Sequence, residues 1–157
     1  MMGAQLIYGM LGALAISLVH AAYTDARRRE IEDWLNAGIA LAAPIFWWSS
    51  GLALWPDIAT QIALALGVFT IFTALFAIGA MGGGDVKLLA ALALWFPWPE
   101  MLKLVIIMSI AGGVLTIFMA MIHKIRRSED KLEIPYGIAI AFAGLWMVGE
   151  RYFNQFT

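Results

Sequence analysis

The sequence predicts an all-α integral membrane protein with six transmembrane helices, the fourth of them short. Hydrophobic residues make up 62% of the 157 residues and charged residues 13%, whereas soluble domains contain roughly 45–50% and about 25% of these classes. The mean hydropathy is +0.83. The polypeptide is long enough for six spans of about 20 residues with short loops, so we expect positions 1–157 to form a single membrane-embedded domain.

Six apolar stretches mark the expected helices in chain order. The first has no basic segment before it and is followed by further spans, so we interpret it as a helix of the mature protein rather than as a signal peptide. Tryptophan and proline combine at 54–57 and 95–99, which is typical of turns at a membrane surface. The predicted helices cover 4–22, 37–55, 58–80, 86–98, 101–122 and 134–148.

The distribution of the ten Lys and Arg residues predicts the orientation, because cytoplasmic loops of membrane proteins collect basic residues. Only Lys103 and Arg151 fall on one side. The eight on the other side are Arg27, Arg28, Arg29, Lys87, Lys124, Arg126, Arg127 and Lys131. We therefore expect both termini to lie outside the cytoplasm, with Asp25 and Asp85 toward the cytoplasmic side.

Three glycines followed by an acid, Gly82 to Asp85, interrupt the apolar pattern. An ionisable group at bilayer depth costs at least a few kcal/mol and usually has a function, and consecutive glycines make a poor transmembrane helix. The apolar stretch that follows has 13 residues and spans only about 20 Å, less than the roughly 30 Å of hydrocarbon. This predicts a break in the fold that holds Asp85 in a recessed, water-filled cavity.

The sequence offers few other groups for hydrolysis. It has no cysteine, no serine in a Gly-x-Ser-x-Gly motif and no His-Glu-x-x-His motif, which argues against the nucleophiles and zinc sites of those enzyme classes. A pair of aspartates, Asp25 and Asp85, remains. Two carboxylates facing one water divide the work when one is ionised and accepts a proton while the other is protonated and polarises a carbonyl.

Each of these residues also has a structural interpretation. Asp85 is a residue type that caps helix N-termini, and Asp25 precedes three arginines with which it can pair. Lys87 is interpreted as an interfacial anchor or as a cation that favours ionisation of Asp85. Asp57 is expected to cap the third helix on the outer side, away from the chemistry.

Four features together resemble one family, the type IV prepilin peptidases, which are membrane aspartic proteases of the GxGD class. Three are motifs and the fourth is the six-helix layout. The motifs are Asp25 with its basic continuation to Ile31 and Leu35, the Gly-x-Gly-Asp-x-Lys pattern of Gly82, Gly84, Asp85 and Lys87, and a Pro-Tyr-Gly-x-Ala segment at Pro135, Tyr136, Gly137 and Ala139. The resemblance implies that Asp25 and Asp85 are catalytic and that the Pro-Tyr-Gly segment is a substrate-docking edge.

The resemblance further implies cleavage of a prepilin or pseudopilin, a small protein whose basic leader is followed by a hydrophobic helix. The cut is expected after a glycine, at the cytoplasmic face of a bacterial or archaeal inner membrane. The loop acids Glu30, Glu32 and Asp33 are candidates for attracting that leader. Glu32 and Asp33 also replace the Pro-Asn of the family pattern. The chain has neither the length nor the paired cysteines of the methyltransferase segment in larger members, so it resembles the short, peptidase-only enzymes of tight-adherence (Flp) pilus systems.

Two alternatives stay open at this point. The first is a GxGD intramembrane protease with other substrates, and the second is a non-enzymatic small transporter or scaffold that uses Asp85 as an ion site. We expect no cofactor and no metal, and the net charge of −1 gives no reason to expect a nucleic-acid partner. The lipid bilayer is the expected surrounding, and the oligomeric state is not predicted.

Overall fold

A computed structural model describes residues 2–126 and 134–153, and all the regular structure in these residues is helical. The prediction of an all-α protein is therefore confirmed. The six α-helices are α1 (Met2–Arg28), α2 (Asp33–Ser49), α3 (Ala59–Ala77), α4 (Gly83–Ala93), α5 (Trp98–Arg126) and α6 (Tyr136–Phe153).

Three segments of the described residues are long and apolar enough to cross a membrane. They are Gly3–Arg28, Leu54–Ala77 and Trp98–Ile125, which correspond to α1, to α3 with the turn before it, and to α5. Helix α4, with 11 residues, is the shortest of the six, as the sequence predicts. At 1.5 Å per residue it is only about 17 Å long.

Helix α1 is longer at its C-terminal end than the apolar stretch predicts. It continues to Arg28, so Asp25, Arg27 and Arg28 lie on the helix and not in a loop after it. Backbone hydrogen bonding does not depend on apolar side chains, and basic residues in a last turn interact favourably with the helix dipole. The helix stops where Arg29 adopts a left-handed conformation with φ 58°, and its N–H still donates to the carbonyl of Asp25 at 2.9 Å.

The turn before α3 corrects the role expected for Asp57. An irregular helical turn spans Leu54–Ile58 and contains a cis bond before Pro56. The carboxylate of Asp57 accepts the N–H of Ala53 at 3.0 Å, whereas the position that caps α3 is occupied by Ile58, without a side-chain cap. Asp57 therefore closes the turn and does not cap α3, because its side chain points back along the chain.

Helix α4 lies at the centre of the bundle and positions the functional end. It packs against α2, α3 and α6, while α1 packs against α2 and α6, and α5 packs mainly against α6. Leu88, Leu89 and Leu92 of α4 are completely buried in this core. Large apolar side chains elsewhere face outward, such as Leu41 at 76% exposure, and such a surface suits a lipid environment better than water.

The two ends of the bundle differ in their polar groups. The C-terminal end of α1 meets the N-terminal ends of α4 and α6 at one end, where Asp25 and Asp85 lie. At the opposite end, Arg151 donates to Glu100 at 2.8 Å, and Lys103 pairs with Glu150. Arg127 and Lys131, which contribute to the charge count in the sequence, lie outside the described residues.

Candidate active site

Asp25 lies in the last turn of α1 and is buried, with 5% exposure. Its Oδ2 atom accepts a hydrogen bond from the backbone N–H of Ile138, at 3.2 Å. Ile138 is in the first turn of α6, where backbone N–H groups have no partner within their own helix. The first turn of α6 therefore both holds this carboxylate and provides a positive partial charge beside it.

Gly137 makes this contact possible because it has no side chain. A Cβ atom at this position would lie 2.7 Å from Oδ2 of Asp25 and 2.8 Å from Cδ1 of Ile31, closer than non-bonded atoms can approach without displacement. Pro135 is buried just before the helix starts. The Pro-Tyr-Gly segment thus brings the backbone of α6 against the carboxylate of Asp25.

Asp85 is the third residue of α4 and is also buried, with 7% exposure. Its Oδ2 atom accepts the backbone N–H of Gly82 at 3.3 Å, so the side chain does close the start of the helix. Gly82 is extended, and Gly83 already belongs to α4. The non-helical interruption predicted from the sequence therefore ends before Gly83. Two of the three glycines belong to helix α4 and not to a loop.

Gly84 brings the start of α4 against the segment between α1 and α2. A Cβ atom there would lie 3.1 Å from Cβ of Ile31 and 3.2 Å from its carbonyl oxygen. Asn36, in the first turn of α2, donates from Nδ2 to the carbonyl of Gly84 at 3.2 Å. Backbone approach and a side-chain hydrogen bond therefore both position the residue directly before Asp85.

Asn36 belongs to none of the motifs recognised in the sequence. One feature of the sequence could have indicated its importance. The amide side chain of Asn36 lies between Leu35 and Ile39, two apolar positions that are buried in the structure. A polar side chain on the buried side of a helix needs a hydrogen-bond partner. The pattern indicates such a need, but the identity of the partner depends on the packing of α2 against α4.

Two cavities bring the aspartates together, although sixty positions separate them in the chain. Both cavities are lined by Asp25, Asp85, Arg29 and Gly82. The first, of about 520 Å³, extends along the acidic loop of Glu30, Glu32 and Asp33. The second, of about 480 Å³, extends between the 79–82 segment and the start of α6, at Ile134 and Tyr136.

The other predicted site residues divide into two groups. Gly82 lines both cavities, and Gly84, Glu30, Asp33 and Tyr136 each line one of them. Pro135, Gly137 and Lys87 line neither of them.

Lys87 points away from the aspartates. Its Nζ atom donates to Oδ1 of Asp33 at 2.7 Å, and both side chains are largely exposed. The structure therefore gives Lys87 the role of an ion-pair partner that ties α4 to the start of α2.

Two of the three carboxylates in the acidic loop form ion pairs. Glu32 lies 3.3 Å from the ring of His20 and 3.8 Å from Arg28, and Asp33 pairs with Lys87. Glu30 is exposed at the cavity edge. Among residues 2–126 and 134–153, no group of three acidic or histidine side chains comes together in a way suited to a metal ion.

This arrangement has the chemical features needed for water activation by carboxylates. Each aspartate is buried, has one oxygen engaged by a backbone N–H, and borders a space large enough for water and a peptide segment. A carboxylate has two oxygens, so each side chain keeps the capacity to bind a water as well. A pair of this kind suits general acid–base hydrolysis.

Comparison with known proteins identifies the family. A family model described as the type IV leader peptidase family matches residues 12–117, a stretch that contains Asp25 and Asp85 and ends before the Pro-Tyr-Gly segment. No solved structure matches the chain significantly.

Curated relatives carry the name prepilin leader peptidase/N-methyltransferase. One from Burkholderia pseudomallei (strain 1026b) is 26% identical over 90% of this chain and 48% of its own length. One from Dickeya chrysanthemi is 28% identical over 92% of this chain and 49% of its own length, and one from Stutzerimonas stutzeri is 33% identical over 59% of this chain and 30% of its own.

The chain thus spans about half the length of the first two of these relatives. The family model nevertheless covers well over half of the 157 residues, and it includes both buried aspartates and the glycine motif. The chain therefore belongs to the type IV leader peptidase family.

Proposed function

We propose that this chain is a membrane aspartic endopeptidase that removes the basic leader of a prepilin or pseudopilin at the cytoplasmic face of the membrane. The observation that carries the proposal is that Asp25 and Asp85, from different helices, are both buried and border the same cavities. Family membership and the names of the relatives support the peptidase activity.

In the proposed mechanism, the two aspartates hold one water between them. The ionised carboxylate takes a proton from the water while the water oxygen attacks the carbon of the peptide carbonyl. The protonated carboxyl donates a hydrogen bond to the oxygen of that carbonyl. The C–N bond then breaks as a proton passes to the leaving nitrogen. The bonds from Ile138 to Asp25 and from Gly82 to Asp85 hold both side chains in place for these steps.

The walls of the two cavities suggest how a leader would bind. Glu30, on one side, presents negative charge to basic leader residues, and Asp33, which pairs with Lys87, borders the same cavity. Tyr136, on the other side, forms the edge where an extended peptide would pass the aspartates, and Gly137 places that edge by packing against Asp25. Pro135 contributes by placing that edge and does not touch the peptide.

The membrane arrangement forms part of the proposal. We assign six transmembrane helices, both termini outside the cytoplasm and a bacterial or archaeal inner-membrane location. Arg27, Arg28 and Lys87 lie at the same end as the two aspartates, and Lys103 and Arg151 lie at the other, which supports this orientation. Residues 1–157 are assigned to one peptidase domain, and no methyl transfer is assigned to them.

The proposal is tested by reconstituting the protein in vesicles with a prepilin and measuring release of the leader by mass spectrometry. Asp25→Asn and Asp85→Asn are each expected to lower kcat by roughly 10²–10⁴. Asp57→Asn is the matched control, because it makes the same change at the opposite end of the bundle, and it should retain cleavage.

Two outcomes would contradict the proposal. Continued cleavage by Asp25→Asn or Asp85→Asn would exclude the aspartate pair as the catalytic group. Loss of cleavage in a folded Asp57→Asn protein would show that the chemistry is not confined to the end of the bundle that holds Asp25 and Asp85.

A further inference from the structure

An apolar groove runs along the outer side of α4, between α2 and α3. Both of these helices pack against α4, but they hardly touch each other, which leaves a space of about 520 Å³. Small side chains form much of its lining. The residues that matter here are Ala37 and Ala40 of α2, Ala65 and Phe69 of α3, Ala90 of α4, and Leu94 directly after α4.

The groove adjoins the cavity that contains the two aspartates. Asp33 lines both spaces, and its ion-pair partner Lys87 lines the groove. Asn36 also lines the groove and donates to the carbonyl of Gly84, directly before Asp85. A chain segment lying in the groove can therefore continue past Asp33 into the cavity at Asp85.

We propose that this groove binds the apolar helix that follows the leader in the substrate. The inference rests on the function proposed above, since it assigns a surface to the part of the substrate that is not cut. The helix would lie along α4, with its N-terminal end near Asp33 and Lys87, and the extended segment before it would cross Asp85 and Asp25.

The small residues of the groove favour a helix as its occupant. Alanine at these positions lets the backbone of a second helix approach closely, which is how helices associate within a membrane, where lipid tails are as apolar as the side chains. Ala37, Leu66 and Phe69 of its lining are exposed at the surface of the bundle, so a helix can enter the groove from the bilayer without the bundle opening.

The amide of Asn36 distinguishes a peptide from a lipid tail. Its Nδ2 atom donates a hydrogen bond to the carbonyl of Gly84. Its Oδ1 atom is buried and has no hydrogen-bond partner in the described part of the chain. A buried acceptor without a donor is destabilising. The first four N–H groups of a helix have no partner within that helix, so the start of a substrate helix carries the donors that an acyl chain lacks.

Groove filling tests the inference with two substrates. One is a full prepilin, and the other is a soluble peptide that has the leader and the cleavage site but not the apolar helix. Ala37→Trp places a large side chain in the groove at an exposed position, where the fold should tolerate it. We expect KM for the full prepilin to rise roughly tenfold, with cleavage of the soluble peptide unchanged.

The matched control is Ala63→Trp, because Ala63 is an exposed alanine of α3 outside the groove. This substitution should leave the cleavage of both substrates unchanged. An equal effect of Ala37→Trp on both substrates, or no effect on the full prepilin, would overturn the inference. The second of these results is also the one expected if the groove holds only lipid.

Disulfide cross-linking separates this inference from the proposed function. The chain has no cysteine, so single cysteines can be placed at Ala40 and, as a control, at Ala63 in the Asp85→Asn background. A cysteine in the apolar helix of the prepilin should cross-link to position 40 and not to position 63. This pattern would support the groove even if the unaltered protein cleaved nothing, and equal cross-linking at both positions would overturn it.

Discussion

The backbone N–H of Ile138 donates a hydrogen bond to Oδ2 of Asp25 over 3.2 Å, across 113 positions of the chain. The start of α6 and the end of α1 therefore form one unit around the buried carboxylate. Because the donor is a backbone group, every side-chain substitution at Ile138 except proline leaves it in place. The geometry instead depends on the residue that lets the two backbones approach, which is Gly137.

Gly137→Ala is predicted to impair cleavage strongly. The added methyl group would lie 2.7 Å from Oδ2 of Asp25 and 2.8 Å from Ile31, so the carboxylate or the helix must shift. Overpacking of this kind costs about 1–3 kcal/mol of stability, and we expect kcat to fall at least about tenfold because a small misplacement of a catalytic group is costly.

Steady-state cleavage and thermal unfolding in detergent would measure both effects. Gly149→Ala, on the same helix and with no atom within 4 Å of the added methyl group, is the control and should keep full activity. Unchanged activity in Gly137→Ala would mean that this contact does not position Asp25.

Gly84→Ala and Gly83→Ala should behave differently, although the two glycines are adjacent. At Gly84 the new methyl group would lie 3.2 Å from the carbonyl oxygen of Ile31, a backbone atom with little freedom to move. At Gly83 the nearest neighbour is the ring of Phe76, at an ordinary 3.4 Å. We expect Gly84→Ala to be less stable and less active, whereas Gly83→Ala should be neutral or up to about 1 kcal/mol more stable, because alanine favours a helix. Equal melting temperatures and activities for the two variants would contradict this explanation.

Lys87→Gln is predicted to change cleavage by less than about threefold. The side chains of Lys87 and Asp33, which form an ion pair, are both exposed to solvent. Exposed ion pairs typically contribute only about 0–1 kcal/mol to the free energy of unfolding. A double-mutant cycle with Asp33→Asn, followed by urea or thermal unfolding, would measure the coupling. A loss of kcat comparable to that of Asp85→Asn would instead assign Lys87 a direct part in the chemistry.

Glu30→Gln should weaken substrate binding while leaving catalysis intact. The carboxylate is exposed at the edge of the cavity that contains both aspartates, so its effect on a basic leader is electrostatic and is screened by salt. We expect KM to rise about two- to fivefold at low ionic strength, with kcat unchanged and the difference reduced at high salt. A change in kcat that is independent of salt would be inconsistent with this role.

Cysteine labelling would test the proposed orientation, since the chain contains no cysteine of its own. Ala53→Cys lies in the turn at the end of the bundle opposite the aspartates, and Glu30→Cys lies in the acidic loop. A membrane-impermeant maleimide should label position 53 in intact spheroplasts and position 30 only after permeabilisation. The reverse pattern would invert the assigned topology.

The family and the two aspartates could be recognised from the sequence because their signals are local. The glycine run and its acid are contiguous, and the hydropathy of each stretch depends only on neighbouring residues. Helix boundaries were less predictable. Helix α1 runs through Asp25 to Arg28, because backbone hydrogen bonding continues after the apolar side chains end.

The roles of individual polar side chains required the packed structure. Lys87 is close to Asp85 in the sequence, yet it pairs with Asp33, because its side chain extends toward α2. Asn36 belongs to no recognised motif, yet its amide donates a hydrogen bond to the carbonyl of Gly84, the residue before Asp85. Spacing along one helix does not determine which neighbouring helix a side chain meets.

The sequence by itself determined that this is an apolar, all-α chain with the motifs of the type IV leader peptidase family, because composition and short motifs are properties of contiguous residues. Only the tertiary structure decided that Asp25 and Asp85 share their cavities, that Gly137 allows the backbone of α6 to hold Asp25, and that an open groove runs along α4 toward Asp33. These relationships join residues that are far apart in the chain, and they exist only once the helices have packed around α4.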